Sequence, residues 1–203
     1  MKEHPIIMSA ESIRAMPVKR QTRRPIKPQP GWNTYRRLWA WEKLANVFGT
    51  TLALAREIQP LCPYGQPGDK LRVRETFALH PTATEMGHPI VFYKARGDSI
   101  LPPNKWHPSI FMPRWASRFV LPLTIVRAER LWDITEEDAI AEGFGDTVVA
   151  EHFDLGYEER PIAYLRRSMF VSRWQSLNAK RGYPWDSNPW VWVLGWEQVE
   201  GRE

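Results

Sequence analysis

Residues 19–24 read Lys19-Arg20-Gln21-Thr22-Arg23-Arg24, and the chain runs on as Pro25-Ile26-Lys27-Pro28-Gln29-Pro30. This stretch lies at the centre of the most lopsided charge in the 203-residue sequence. From Ser12 to Trp41 there are eight cations, Arg14, Lys19, Arg20, Arg23, Arg24, Lys27, Arg36 and Arg37, and no carboxylate; taking that +8 from the chain's net +5 leaves −3 elsewhere. The basicity therefore belongs to one segment. Clustered Lys and Arg make a footprint for phosphates, with affinity that falls steeply with salt. The other reading of such a run is a solvated face or a flexible arm. Pro17, Pro25, Pro28 and Pro30 oppose a continuous helix through it, so the segment is predicted to be a structured basic loop.

On the N-terminal side, Pro5 to Met8 suits a short strand. Ser9 then suits the N-cap of a helix through Ala10, Ile13 and Met16 that Pro17 ends. On the C-terminal side, Leu38, Trp41, Leu44, Ala45 and Phe48 fall at helical spacings, which predicts an inserted helical or partly ordered element over Trp32 to Ile58. Gly68-Asp69 opens an alternating strand, Leu71 to Leu79, whose apolar face is interrupted by Glu75, either a surface feature or a partner for an arginine. Ile90 to Ala95 and Phe119 to Arg130 read as further strands, the second with an edge or a bulge at Pro122. The four prolines between 102 and 113 predict a loop around Trp106, His107 and Trp115. Thr135 followed by Asp138 makes a capping box, and Gly143 a C-cap, for a short acidic helix. A second amphipathic helix over Ile162 to Asn178 presents Leu165, Met169, Phe170, Trp174 and Leu177 on one side, and Trp190 to Val199 reads as a last strand. Strands and short helices without regular βαβ alternation predict an α+β domain around a small, closed sheet.

Composition narrows the chemistry. No apolar run approaches the ~20 residues of a membrane span, and residues 1–11 lack the apolar core of a secretory signal. Cys62 is the single cysteine, which suits a reducing cytoplasm, and the five histidines show no ligand spacing, so no metal and no cofactor are expected. Eighteen prolines exceed the roughly ten that average usage of ~5% would give, in keeping with a loop-rich chain. Eleven tryptophans serve either as core or as stacking platforms for bases. No Walker loop, GxGxxG, GxSxG or HExxH occurs. What remains is Lys19-x-x-Thr22, followed by Arg24. A lysine desolvated among other cations loses basicity and can take the proton of a threonine hydroxyl, whereas the plainer role of such a motif is phosphate contact.

The run Lys19-Arg20-Gln21-Thr22-Arg23-Arg24 resembles the G-x-K-x-x-T-x-R signature of the ASCH domain, with Pro17 where that family has glycine. Further blocks resemble the larger ASCH-type proteins of tailed phages and prophages. These are residues 21–30, Gly68 to Thr76, Met112 to Arg118, Ile134 to Ala139 with Glu142-Gly143, and Asn188 to Val193, so the likeness spans nearly the whole chain. The resemblance implies one PUA-like domain over residues 1–203, a small mixed β-barrel with flanking short helices that binds RNA, with DNA as a possible partner. Lys19, Arg20, Arg23, Arg24 and Lys27 would then contact phosphates and Trp115 or Trp106 would stack. Arg72, Arg74, Arg114 and Arg118 either extend that surface or pair with Glu75. The family also includes an amidohydrolase that deacetylates N4-acetylcytidine. That likeness implies Lys19 as activating base, Thr22 as nucleophile and Glu142 as proton carrier, the alternative for Glu142 being a surface carboxylate of an acidic helix. A phage accessory protein acting through protein contacts, in the host cytoplasm, is the further alternative.

Overall fold

The computed structural model describes residues 1–33, 38–41, 58–80, 90–100, 104–145 and 161–197. Strands form at Glu3–Ile7 (β1), Gln21–Pro25 (β2), Gly31–Asn33 (β3), Leu38–Ala40 (β4), Lys70–Arg74 (β5), Phe77–Leu79 (β6), Val91–Tyr93 (β7), Val120–Arg130 (β8) and Trp190–Trp196 (β9). Helices form at Ala10–Arg14 (α1), Glu136–Ala141 (α2) and Ile162–Asn178 (α3). Five strands make one mixed sheet in the order β1-β5-β8-β9-β2; β1 runs parallel to β5 and every other pair is antiparallel. The fold is α+β, as expected.

β9 shows why the sheet sits where it does. Its residues alternate between two cores: Trp192, Leu194 and Trp196 pack with Ile6, Leu71, Leu121 and Leu123, while Val191 and Val193 pack with Leu131, Phe170 and Trp174 under α3. A strand covered on both faces needs a near-continuous apolar run, which WVWVLGW supplies. The Phe170 and Trp174 rings come from α3, and the Trp174 Nε1–H donates to Tyr183 O at 2.8 Å, so burying the indole leaves no orphaned donor. The register of β8 shifts between Leu123 and Ile125; Pro122 pairs with Lys70 of β5 and precedes the β8–β9 ladder, which begins at Leu123, so the proline has β5 on one side only.

Four expectations are corrected. The segment expected to be a basic loop is in part β2, paired with β9 from Gln21↔Gly195 to Pro25↔Val191, because its polar side chains find buried partners. The strand expected over Leu71 to Leu79 is two: β5 ends at Arg74, and β6 pairs instead with β7. Between them Glu75 is buried at 2% exposure, its carboxylate accepting from Arg118 Nε and NH2, each at 2.9 Å. The element expected to be helical from Trp32 begins with β3 paired antiparallel to β4, and residues 34–37 and 42–57 lie outside the described residues. Finally, the sheet is open: among the described residues no ladder joins its edge strands β1 and β2. A side chain spans that seam instead, Arg24 NH2 donating to Ile7 O at 2.7 Å.

Candidate functional site

The chain leading into β2 is stitched to the end of α2. Ser9 caps α1, its Oγ accepting from the Ser12 N–H at 3.3 Å, and the turn that follows delivers Lys19, whose N–H donates to Ala15 O at 2.8 Å. The Arg20 N–H donates to Ala141 O at 2.7 Å, the last carbonyl of α2, while Arg20 O accepts from Trp196 of β9 at 2.9 Å. α2 itself starts on the expected capping box between Thr135 and Asp138. Its C-cap is Glu142, followed by Gly143 at φ +104, a backbone conformation that side chains resist. A Cβ at 143 would also stand 2.9 Å from the Ala15 Cβ. Glycine is what lets the two segments touch.

That contact buries a charge pair. Lys19 Nζ donates to Glu142 O at 2.6 Å and to Glu142 Oε2 at 2.8 Å, with the two residues only 3% and 7% exposed. One cation thus satisfies both a helix-terminal carbonyl and the carboxylate of the same residue. Burial pulls the Lys19 pKa below its ordinary value, and Glu142 opposes that pull. Beside it the fully enclosed Arg23 guanidinium reaches Glu129 Oε1 at 2.6 Å, Asp138 Oδ2 at 2.8 Å and Glu142 Oε1 at 3.4 Å. Arg127 closes the network on Glu129 at 2.7 Å and Asp138 at 3.1 Å. Three cations face three carboxylates, so the cluster is neutral, as buried charge requires.

Lys19, Thr22 and Glu142 open onto one cavity of ≈ 860 Å³, bounded by β1, α1, β2 and α3. Its charged lining is seven cations, Arg14, Lys19, Arg23, Arg24, Lys27, Arg173 and Arg181, against two carboxylates, Glu11 and Glu142. Both carboxylates are engaged, Glu142 as above and Glu11 by Arg173 at 3.2 Å. Tyr64, Phe144, Phe170, Trp174, Tyr183 and Trp192 contribute aromatic surface. A cavity of this size, apolar-walled with a surplus of positive charge, suits a planar ligand that carries negative charge.

The structure therefore brings together Lys19, Thr22, Arg23, Arg24, Lys27 and Glu142. The other candidates lie outside the lining. Arg20 donates to the Pro17 and Lys19 carbonyls, Arg72 and Arg114 pair with Glu3, and Arg118 pairs with Glu75 while stacking 4.3 Å from the Tyr93 ring. Arg74 is half-buried in β5 and Trp115 is 55% exposed on a 3₁₀ turn. Tyr64, Arg173 and Arg181, which the sequence did not single out, also line the cavity. Two of them had a signal, since Phe170, Arg173, Trp174, Leu177, Asn178 and Arg181 follow one helical stripe at i, i+3, i+4, i+7, i+8 and i+11. Cys62 is buried in the core, and burial pushes its thiol up to about 11, so it is not an activated nucleophile. Among the described residues no group of three or more His, Cys, Asp or Glu could hold a metal ion, and no helix is long and apolar enough to cross a membrane.

Removing one partner of the buried pair is far costlier than removing both. Glu142→Ala is expected to lose about 3–5 kcal/mol in urea unfolding, whereas the double variant Lys19→Met with Glu142→Leu recovers most of that loss. Asp138 supplies a pH test. Burial raises its pKa, but Arg23, the Gln21 amide, the Thr135 N–H and Arg127 outweigh burial and hold it below the ordinary 3.8. A carboxyl depressed in the fold stabilises it above the unfolded pKa, and that contribution disappears as pH falls through the folded value. Asp138→Asn is expected to be less stable at pH 7 by about 1–3 kcal/mol and to show a shallower loss than wild type below about pH 4 in urea melts.

Compared with known proteins, the chain matches no protein-family model, no curated protein and no solved structure.

Proposed function

We propose that the cavity binds a nucleobase unit, either a residue of nucleic acid, RNA foremost, or a free modified nucleoside. The observation that carries this is the convergence of Lys19, Thr22 and Glu142 on one aromatic cavity with seven cations and two engaged carboxylates. Aromatic side chains stack on bases whatever their sequence, and surplus arginines attract phosphate. The likeness of residues 19–24 to the ASCH signature supports the same reading. In it the open sheet is a PUA-like barrel parted at the β1–β2 seam, where Arg24 reaches Ile7 O. Arg23 has a structural part here: its donors are committed to Glu129, Asp138 and Glu142, which leaves phosphate contact to other cations of the lining, Arg24 among them.

A second reading, hydrolysis of an acyl amide on the base, is favoured by the Lys19–Glu142 bond on the cavity that Thr22 also lines. Moving the shared proton from Lys19 to Glu142 gives a neutral amine and a carboxylic acid. The amine takes the Thr22 hydroxyl proton as Oγ attacks the acyl carbonyl carbon. The Glu142 proton passes to the departing nitrogen as the C–N bond breaks, leaving acyl-Thr22 and a free amine. Water then attacks the ester and its hydrogens restore Thr22, so the balance is amide plus water to carboxylic acid plus amine. No redox step or cofactor enters that balance.

Short RNA is expected to bind with log K falling linearly with log salt, and N4-acetylcytidine to compete with it. No binding of RNA or nucleoside at low salt would overturn the proposal. Acetate release from N4-acetylcytidine by wild type, lost at least about a hundredfold in Thr22→Val while RNA binding stays within about threefold, would establish the hydrolytic reading. Binding without acetate release would retire it.

A further inference from the structure

Resting on the base-binding reading, we propose that the cavity is built for a nucleoside bearing a phosphate, with Arg24 and Arg181 gripping the phosphate. Arg24 is the first ground. Its NH2 is spent on Ile7 O at 2.7 Å, yet its Nε is buried without a hydrogen-bond partner among the described residues. A guanidinium donor removed from water and left unpaired costs about 1–3 kcal/mol, more when charged, so an unpaired donor on a residue that lines the cavity calls for an explanation, and an anion bound by that guanidinium supplies one.

Charge accounting is the second ground. Of the cations on the cavity, Lys19 and Arg23 are neutralised by Glu142 and its neighbours, Arg173 by Glu11, and Arg14 spends its Nε on Ala95 O at 3.1 Å. Arg24, Arg181 and Lys27 line the cavity and form no ion pair with a carboxylate among the described residues. Burial is the main reason the Arg24 pKa falls; Tyr64 and Glu142 oppose the fall, and Arg181 adds to it. Arginines on one cavity wall without a carboxylate ion pair call for an anion from outside the chain. A phosphate fits, because guanidiniums present several N–H donors to its oxygens.

Lys27, 5.6 Å from the Tyr183 ring centroid, and Arg181 line the same cavity as the Lys19–Glu142 pair, so a base and a phosphate can be met by one set of walls.

The four ribonucleosides, their 3′- and 5′-monophosphates, and a trinucleotide with unphosphorylated ends distinguish the possibilities by calorimetric titration at low salt. At least one monophosphate is expected to bind about tenfold or more tighter than its nucleoside, with the ratio shrinking as salt rises. Arg181→Ala, at an exposed position, is expected to bring that ratio to within about threefold of unity, and Arg24→Gln to do the same. If the trinucleotide binds tighter than any monophosphate, the phosphate comes from a polynucleotide; if it does not, a free nucleotide is the ligand, and either result supports the site. Equal binding of nucleosides and monophosphates would overturn the phosphate inference and leave base binding standing. A ratio that survives both substitutions would overturn the assignment to Arg24 and Arg181. Absence of binding by every probe would remove the base-binding reading itself.

Discussion

The burial of Lys19 and Arg23 against Glu129, Asp138 and Glu142 is the constraint on which the rest of the molecule depends. Charges can be taken out of water only where opposite charge and hydrogen bonds replace it, and here Arg23 of β2, Glu129 of β8, Asp138 of α2 and the flanking Lys19 and Glu142, with Arg127, supply both. The cluster ties the edge strand β2 to β8 and α2. It holds the end of α2 over the Lys19 turn, and Gly143 supplies the close approach that this requires. Because the network is neutral, the cations beyond it stand out as surplus.

From this follows a division of labour that charge counting alone would miss. Arg23 and Arg24 are neighbours in a strand, so their side chains take different directions. Arg23 turns to the carboxylates and becomes architecture. Arg24 reaches across the seam to β1, keeps an unpaired buried donor and faces the cavity. The open edge between β1 and β2 and the cavity are one feature, since residues of both edge strands line it. Pro5 on β1 and Pro25 on β2 lack the N–H groups that would help such edges pair.

What could be read in the sequence was local. Ser9 and Thr135 cap their helices as their spacing indicates, Gly143 ends α2, and the apolar run of β9 reads as a strand because both its faces are covered. Lys19 and Thr22 were legible as a Lys-x-x-Thr spacing, whereas nothing local singled out Glu142; their meeting in one cavity depends on a contact across 123 residues. The state of β2 was illegible for the same reason. QTRRP has no apolar face, and its burial depends on carboxylates 106 to 119 residues away. Glu75 likewise breaks a strand through Arg118, 43 residues on. Arg173 and Arg181 sat in plain view on a helical stripe, but nothing local distinguished a cavity wall from a solvated face.

Ligand binding at this cavity, as opposed to the region around Arg72, Arg114, Trp115 and Arg118, is tested by side-chain NMR of the arginine and lysine nitrogens during titration with short RNA. Binding in the cavity is expected to shift the signals of Lys19, Arg24 and Arg181 and to leave Arg72, Arg114 and Arg118 unmoved. Shifts confined to Arg114 and Arg118, with Lys19 and Arg24 unchanged at saturation, would contradict binding there.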